Sequence, residues 1–294
     1  MILFHDLALR IMVLFTIFVL CIATILGQLM AVKQRRSGEV SDVVQNLNSR
    51  VNAWWVMVII FTLALLTGGI GSIILFFLVS IMALREFLTL TPSIPADHNA
   101  LIWIYFFLTP LQYILVAVQW YGFFAILIPV YGMLLIPILM VLSGRTEGFL
   151  GRAGTIQFAM LICVYSISYV PAIIDLNFTN FVGKGVNLLL YLVVIVQASD
   201  VSQYITGKIF GKHYIAPKVS PHKTVEGFLG GMFVSAALGL ALFWITPYTP
   251  LLSLGMGLLI GILGFCGGLV MSAVKRDKGK RFWKTNTGPW RCPR

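Results

Sequence analysis

Long, unbroken apolar runs constrain the fold of this chain more than any other feature. Most of them reach the roughly 20 apolar residues that carry an α-helix across a bilayer. The runs cover residues 11–30, 53–84, 100–120, 123–142, 155–174, 185–204, 228–245 and 251–271. Transmembrane β-barrels alternate apolar and polar residues, and these runs do not. We therefore predict an all-α, polytopic transmembrane protein.

Composition excludes other classes of protein. The 294 residues are 59% hydrophobic and 11% charged, against about 45–50% and 25% in soluble domains. A soluble globule and a disordered chain are therefore excluded. The net charge of +11 would suggest nucleic acid as the partner of a soluble protein, but here the basic residues lie in short loops between apolar runs. That is the positive-inside pattern, so no nucleic-acid partner is expected.

The run over residues 53–84 is too long for one crossing, and Gly68, Gly69 and Gly71 interrupt it. Because a glycine weakens a helix interior by about 1 kcal/mol, two short helices joined by a tight turn are predicted here. The chain then makes about nine crossings. A re-entrant hairpin at this place would instead leave about seven.

Both counts place the basic loops on one face of the membrane. An excess of Lys and Arg marks the cytoplasmic face, so we expect a multi-pass protein of the cell inner (plasma) membrane whose polar motifs are cytoplasmic. By composition the chain divides into a first transmembrane helix and loop (1–52), a transmembrane region (53–184), a transmembrane region with polar motifs (185–276) and a basic tail (277–294).

Polar residues in apolar surroundings are the candidate functional residues. Asp200 ends an apolar run, where a carboxylate is costly unless it has a partner, although a helix-end carboxylate at the interface fits its position equally well. In the following loop, Ser220, Pro221 and Glu226 suit a helix start. Lys218 and Lys223 in the same loop suit phosphate binding at that helix end.

A third polar segment ends the last apolar run. Ser272, Lys275 and Arg276 lie at neighbouring helical positions. A Lys-Arg pair at this place is also the usual stop signal after a membrane helix.

These three segments stand in one order along the chain. They read Asp200-x-x-x-Tyr204-x-x-Gly207-Lys208-x-x-Gly211-Lys212, then Ser220-Pro221-x-Lys223-Thr224-x-Glu226-Gly227, then Ser272-x-x-Lys275-Arg276. Over its last third, the chain therefore resembles the phosphatidate cytidylyltransferases, the CDP-diacylglycerol synthases.

The resemblance implies transfer of a cytidylyl group from CTP to phosphatidic acid, with Mg²⁺ as cofactor. Carboxylates suit a hard cation, and cationic side chains offset charge on phosphoryl oxygens. The implied catalytic residues are Asp200, Lys223, Lys275 and Arg276, with Asp200 as the metal ligand. The implied substrate-binding residues are Ser220, Thr224, Glu226, Ser272 and Lys218. The expected partners are CTP, phosphatidic acid and membrane lipid, and a homodimer is left open.

The chain departs from the family pattern in two places. Gly268 stands where a second acidic metal ligand is expected, and glycine has no side-chain oxygen. After Lys275-Arg276 the family continues to a G-H-G-G segment, whereas this chain ends in the basic tail. Codons chosen for the tail read K-D-F-G-K-L-I-P-G-H-G-G-V-L after a one-nucleotide shift, which predicts a truncation or frameshift. We expect an impaired enzyme.

The rival hypothesis is a transporter or lipid-moving protein that binds an anionic substrate without chemistry. Such folds are commonly built from internal repeats, and the halves of this sequence show no convincing resemblance to each other.

Overall fold

A computed structural model describes residues 7–37, 42–67, 69–89, 97–174 and 184–277, so the tail beyond Asp277 lies outside the described residues. These residues form nine long helices, a short 3-10 helix (Phe243–Ile245) and a two-stranded hairpin. The helices are α1 (Leu7–Ser37), α2 (Asp42–Leu66), α3 (Gly69–Thr89), α4 (His98–Ala117), α5 (Tyr121–Val141), α6 (Phe149–Ile174), α7 (Gly185–Phe210), α8 (Val225–Ala241) and α9 (Pro250–Asp277). The strands are β1 (Tyr214–Ala216) and β2 (Ser220–Thr224).

The prediction of an all-α, polytopic membrane protein is confirmed. Six helices, α3 to α7 and α9, are long and apolar enough to cross a membrane, and α1, α2 and α8 carry shorter apolar stretches. The number of crossings stays a prediction. The two helices that were predicted to be short, α2 and α3, are 25 and 21 residues long. Helix α2 is longer than its apolar run because it already begins at Asp42, in a more polar segment.

The described chain divides into two compact units. The first comprises the described residues within 7–84, 97–149 and 157–190. In this unit the indole Nε1 of Trp55 donates to Thr24 Oγ1 at 3.0 Å and joins α2 to α1. Gln112 of α4 is fully buried and donates to the Phe124 carbonyl and to Ser168 Oγ. Such side-chain bonds hold helices together where apolar burial cannot, because lipid is as apolar as the helices.

The second unit comprises the described residues 85–89, 150–156 and 191–277 and contains the polar motifs. Its helices α8 and α9 pack through residues spaced four apart that form one stripe on each helix. The buried stripe of α8 is Gly227, Gly231, Ser235 and Gly239, and that of α9 is Ser253, Gly257, Gly261 and Phe265. Small residues at this spacing allow two helix backbones to approach closely.

The segment before α8 corrects one sequence-based prediction. Ser220 and Pro221 lie in strand β2, not at the cap and first turn of a helix. The cap of α8 is Thr224, whose Oγ1 accepts a hydrogen bond from Gly227 N at 3.1 Å. The hairpin itself was not predicted, since strands of three and five residues show no clear alternation of apolar and polar positions.

Candidate active site

Lys223 occupies the centre of the candidate site. It lies near the end of β2, is half-buried, and turns its ammonium toward α9. Its Nζ donates to the Phe265 carbonyl at 3.4 Å and lies 4.6 Å from the centroid of the Phe265 ring. A cation near an aromatic face is stabilised by the charge distribution of the ring. The structure therefore holds one cation of the predicted set against the backbone of α9.

Asp200, on α7, is the acidic partner of this lysine. Burial lowers the pKa of Lys223, and the negative charge of Asp200 opposes that decrease. The Asp200 carboxylate is therefore close enough to stabilise the ammonium electrostatically. Two residues separated by 23 positions, Asp200 and Lys223, therefore interact electrostatically.

The end of α9 meets the hairpin. Arg276 Nε donates to the Val219 carbonyl in the hairpin turn at 3.2 Å. Ser272 Oγ donates to the Gly268 carbonyl in its own helix at 2.7 Å. Lys275 is exposed in the last turn of α9. The Arg276 bond uses one nitrogen, and the guanidinium has further N–H groups for an anionic ligand.

Three other predicted residues have different surroundings. Thr224 is buried, and its hydroxyl caps α8. Ser220 begins β2 and is half-buried, and Lys218 is exposed in the turn between the strands. The roles of these residues in substrate binding stay predictions.

Glu226, in the first turn of α8, is bonded within its own chain. Its Oε1 lies 2.6 Å from His213 Nδ1. Its Oε2 accepts hydrogen bonds from the backbone nitrogens of Lys212, at 3.1 Å, and His213, at 3.3 Å. Glu226 therefore fixes the entry to the hairpin, which makes a supporting role more consistent with its contacts than direct substrate binding.

Glycines allow α7 and α8 to approach closely enough to build this site. A Cβ placed on Gly227 would lie 2.8 Å from the Gln203 carbonyl and 3.1 Å from the Gly207 Cα. A Cβ on Gly230 would lie 2.5 Å from Thr206 Oγ1. The two backbones leave no room for side chains at these positions. Helix α7, which carries Asp200, therefore packs directly against α8, which follows Lys223.

The site offers few protein ligands for a magnesium ion. No group of three His, Cys, Asp or Glu side chains comes together among the described residues. Asp200 therefore offers one carboxylate and no protein cage. Mg²⁺ is often bound by one or two carboxylates together with substrate phosphates, so this donor fits an ion that arrives with a nucleotide.

Sequence reasoning missed two residues of the site. Phe265 forms a wall beside the Lys223 ammonium, and His213 holds Glu226. His213 carries no local sequence signal. The signal for Phe265 was present, since it continues the series Ser253, Gly257 and Gly261 at a spacing of four.

Comparison with known proteins adds independent findings. The profile of the cytidylyltransferase family matches residues 48–280, which contain all three polar segments. A protein of Escherichia coli (strain K12) described as uncharacterized protein YnbB is 36% identical over 271 residues, covering 90% of this chain and 85% of its own.

Two further relatives carry an enzyme name. A phosphatidate cytidylyltransferase of Staphylococcus aureus (strain COL) is 28% identical over 237 residues, covering 76% of this chain and 83% of its own. A phosphatidate cytidylyltransferase of Chlamydia muridarum is 31% identical over 138 residues, covering 44% and 45%. No solved structure gives a significant match.

Proposed function

This chain belongs to the cytidylyltransferase family, and on that premise we propose that it transfers a cytidylyl group from CTP to phosphatidic acid. The products are CDP-diacylglycerol and pyrophosphate. Relatives named phosphatidate cytidylyltransferase support this substrate pair. The observation that carries the proposal is the half-buried ammonium of Lys223, which contacts α9 and lies within electrostatic range of Asp200. The hairpin that carries Lys223 also contacts the end of α9 through Arg276.

The reaction needs positioned charge more than a protein nucleophile. A phosphate oxygen of phosphatidic acid attacks the α-phosphorus of CTP, and the bond from that phosphorus to the oxygen bridging the α- and β-phosphates breaks. Pyrophosphate leaves with the electron pair of that bond. Negative charge on the phosphoryl oxygens must be offset as the reaction proceeds. We assign this role to Lys223, and to Lys275 and Arg276 the binding of phosphate groups.

We assign Asp200 as the protein ligand of a magnesium ion that arrives with the CTP phosphates. When bound, the ion would neutralise phosphate charge and orient the phosphoryl groups. Lys223 contributes the neighbouring positive charge from the protein itself. Gly268 adds no oxygen ligand, so we expect weak metal binding and low turnover in this chain.

The location of the site suits a reaction between a soluble nucleotide and a lipid. The chain is a multi-pass membrane protein. We propose that it lies in the inner membrane with the hairpin in the cytoplasm, where CTP is available. The positive charges of the hairpin and of the end of α9 support this orientation.

Thiol labelling tests the orientation. In a cysteine-free background, His222→Cys places a thiol in the hairpin, and Thr249→Cys places a matched thiol before α9, at the other end of α8. Both native side chains are exposed. A membrane-impermeant maleimide added to intact cells should label position 249 and spare position 222. The reverse pattern would refute the proposed sidedness.

A transfer assay tests the activity. The purified full chain is incubated in lipid nanodiscs with labelled CTP, phosphatidic acid and Mg²⁺, and CDP-diacylglycerol and pyrophosphate are measured. Formation of both in equal amounts, lost in Lys223→Ala, is the expected result. Saturable binding of CTP without either product, even in Gly268→Asp, would favour the rival hypothesis of an anion-binding transporter.

A further inference from the structure

Gln197 is a polar side chain in the apolar part of α7 that the proposed site does not use. It is the thirteenth of the 26 residues of this helix and directly follows five apolar residues. A helix of this length measures about 39 Å, and the hydrocarbon core of a bilayer is about 30 Å thick. Gln197 therefore lies within the membrane span and not at either of its ends.

The Gln197 side chain is exposed, and its amide has no hydrogen-bond partner among the residues that the structure describes. Gln203, the other glutamine of α7, is half-buried and donates to Ser199 Oγ at 2.8 Å. An amide in apolar surroundings costs free energy unless it is hydrogen-bonded. The amide of Gln197 is therefore suited to a partner that comes from the membrane or with a ligand.

Gln197 belongs to a row of exposed polar side chains along α7. Their spacing of three, four and four positions places them on one face of the helix, and they are Gln197, Asp200, Tyr204 and Lys208. The Lys208 ammonium lies 6.0 Å from the centroid of the Tyr204 ring. Other residues of α7, among them Gln203 and Thr206, meet α8 instead. We name this exposed row the polar face of α7.

The order of groups on the polar face matches the order of groups in a phospholipid. Gln197 lies about 4.5 Å from Asp200 along the helix axis, on the side toward the middle of α7. In phosphatidic acid the phosphate is followed by glycerol, then by the two acyl-ester carbonyls, then by the acyl chains. A lipid whose phosphate meets Lys223 beside Asp200 would therefore bring its ester carbonyls to the turn of Gln197. An ester carbonyl accepts hydrogen bonds, and a glutamine amide donates them.

We propose that the amide of Gln197 donates a hydrogen bond to an acyl-ester carbonyl of phosphatidic acid and so selects ester-linked lipids as acceptors. This inference rests on the proposed function, which supplies phosphatidic acid as the substrate and Lys223 as the contact of its phosphate. Gln197 touches no reacting atom. It should therefore affect the KM for the lipid and leave kcat nearly unchanged, as uniform binding does.

The test compares two acceptors with the same headgroup and chain length, phosphatidic acid with ester-linked chains and its analogue with ether-linked chains. Binding of each labelled lipid to the purified full chain is measured in mixed micelles with Mg²⁺ and without CTP. One hydrogen bond between neutral groups corresponds to about 3- to 10-fold in affinity. We expect the unmodified chain to prefer the ester-linked lipid by that factor.

The variant is Gln197→Met, which keeps the length of the side chain and removes its N–H groups. It should lose the preference through weaker binding of the ester-linked lipid alone. Unchanged binding of the ether-linked lipid would show that the fold is retained. Val193→Leu is the matched control, because Val193 is an exposed apolar residue one turn away on the same side of α7. It should keep the preference.

Three results would overturn the proposal. The first is equal binding of both lipids by the unmodified chain, and the second is an ester preference that survives in Gln197→Met. The third is loss of the preference in Val193→Leu as well, since the shape of the helix face would then set it. If Gln197→Met keeps the preference and converts a dimer to a monomer, the partner of the amide is a second copy of the chain.

The lipid preference and the proposed function fail independently, because binding is measured without turnover. An ester preference that depends on Gln197, in a chain that makes no CDP-diacylglycerol, would leave the lipid contact established and the transfer reaction wrong. Equal use of both lipids by a chain that makes CDP-diacylglycerol would leave the proposed function standing and this inference wrong.

Discussion

The carboxylate of Glu226 lies 2.6 Å from the imidazole Nδ1 of His213, and this contact joins the entry of the β1–β2 hairpin to the first turn of α8. A carboxylate near a helix N-terminus is also favoured by the helix dipole. The hairpin that carries Lys223 is therefore tied down at the end opposite to its contact with Arg276.

The first prediction concerns acid stability of this contact. The hydrogen bond from His213 is the main cause that lowers the pKa of Glu226 from its ordinary 4.5 to about 2, and backbone N–H groups add to it. A lowered pKa stabilises the folded state above the ordinary value, and that stabilisation is lost as the pH falls toward the folded value. The hairpin should therefore stay attached through pH 4.5 and detach only near about 2.

A fluorophore on Ile215→Cys, in the cysteine-free background, would report this detachment during acid titration. The same titration of Glu226→Gln is the control, because that variant has no carboxylate to protonate and should lack the acid transition. A transition near the ordinary glutamate pKa that disappears in Glu226→Gln would contradict the prediction.

The second prediction concerns the charge and shape of Lys223. Lys223→Ala should lower the rate of CDP-diacylglycerol formation by about 10²–10³-fold, which is typical for removal of one group that stabilises charge in a transition state. Lys223→Arg should restore little, because a planar guanidinium differs in shape and hydration from the compact ammonium that lies over Gly268. The measurement is the initial rate with saturating CTP, with Lys218→Ala as the exposed control. Full activity in Lys223→Arg would show that charge alone suffices.

The third prediction concerns the metal. Asp200→Asn should raise the Mg²⁺ concentration needed for half-maximal rate, and removal of metal with EDTA should abolish the rate. Gly268→Asp should lower that Mg²⁺ requirement and raise turnover, because a second carboxylate could coordinate the same Mg²⁺ ion. Magnesium titrations of the three proteins provide the comparison. Robust turnover by the unmodified chain at low Mg²⁺ would show that this assignment of the metal ligand is wrong.

The fourth prediction concerns the packing of α8 against α9. A Cβ on Gly239 would lie 2.6 Å from the Ser253 carbonyl and 3.0 Å from the Gly257 Cα, which are backbone atoms that cannot move aside easily. Gly239→Ala should therefore destabilise the protein by about 1–3 kcal/mol, as overpacking does.

Gly255→Ala is the matched control, because a Cβ there meets no other described atom within 4 Å. It should stabilise α9 by up to about 1 kcal/mol, since alanine favours a helix over glycine. Thermal unfolding in one detergent gives both changes. Equal effects of the two substitutions would refute close packing at Gly239.

The amino-acid sequence by itself determined the membrane class, the helical fold and the place of the turn near Gly69, because long apolar runs have few other stable solutions in a bilayer. It also identified the segments of Asp200, Lys223 and Arg276 through a resemblance. The sequence did not predict the hairpin, because its short strands are defined only by their pairing, Tyr214 with Thr224 and Ala216 with Ser220.

Tertiary structure alone decided which partner each polar residue has. Thr224 replaces Ser220 as the cap of α8, Glu226 binds His213, and the Lys223 ammonium lies over Gly268. Local sequence patterns could not specify these pairs, because each joins elements far apart in the chain or depends on where a strand ends. Small residues let the helix backbones come close enough for such contacts. The distance between two backbones depends on how the helices pack together, so no single segment of the sequence specifies it.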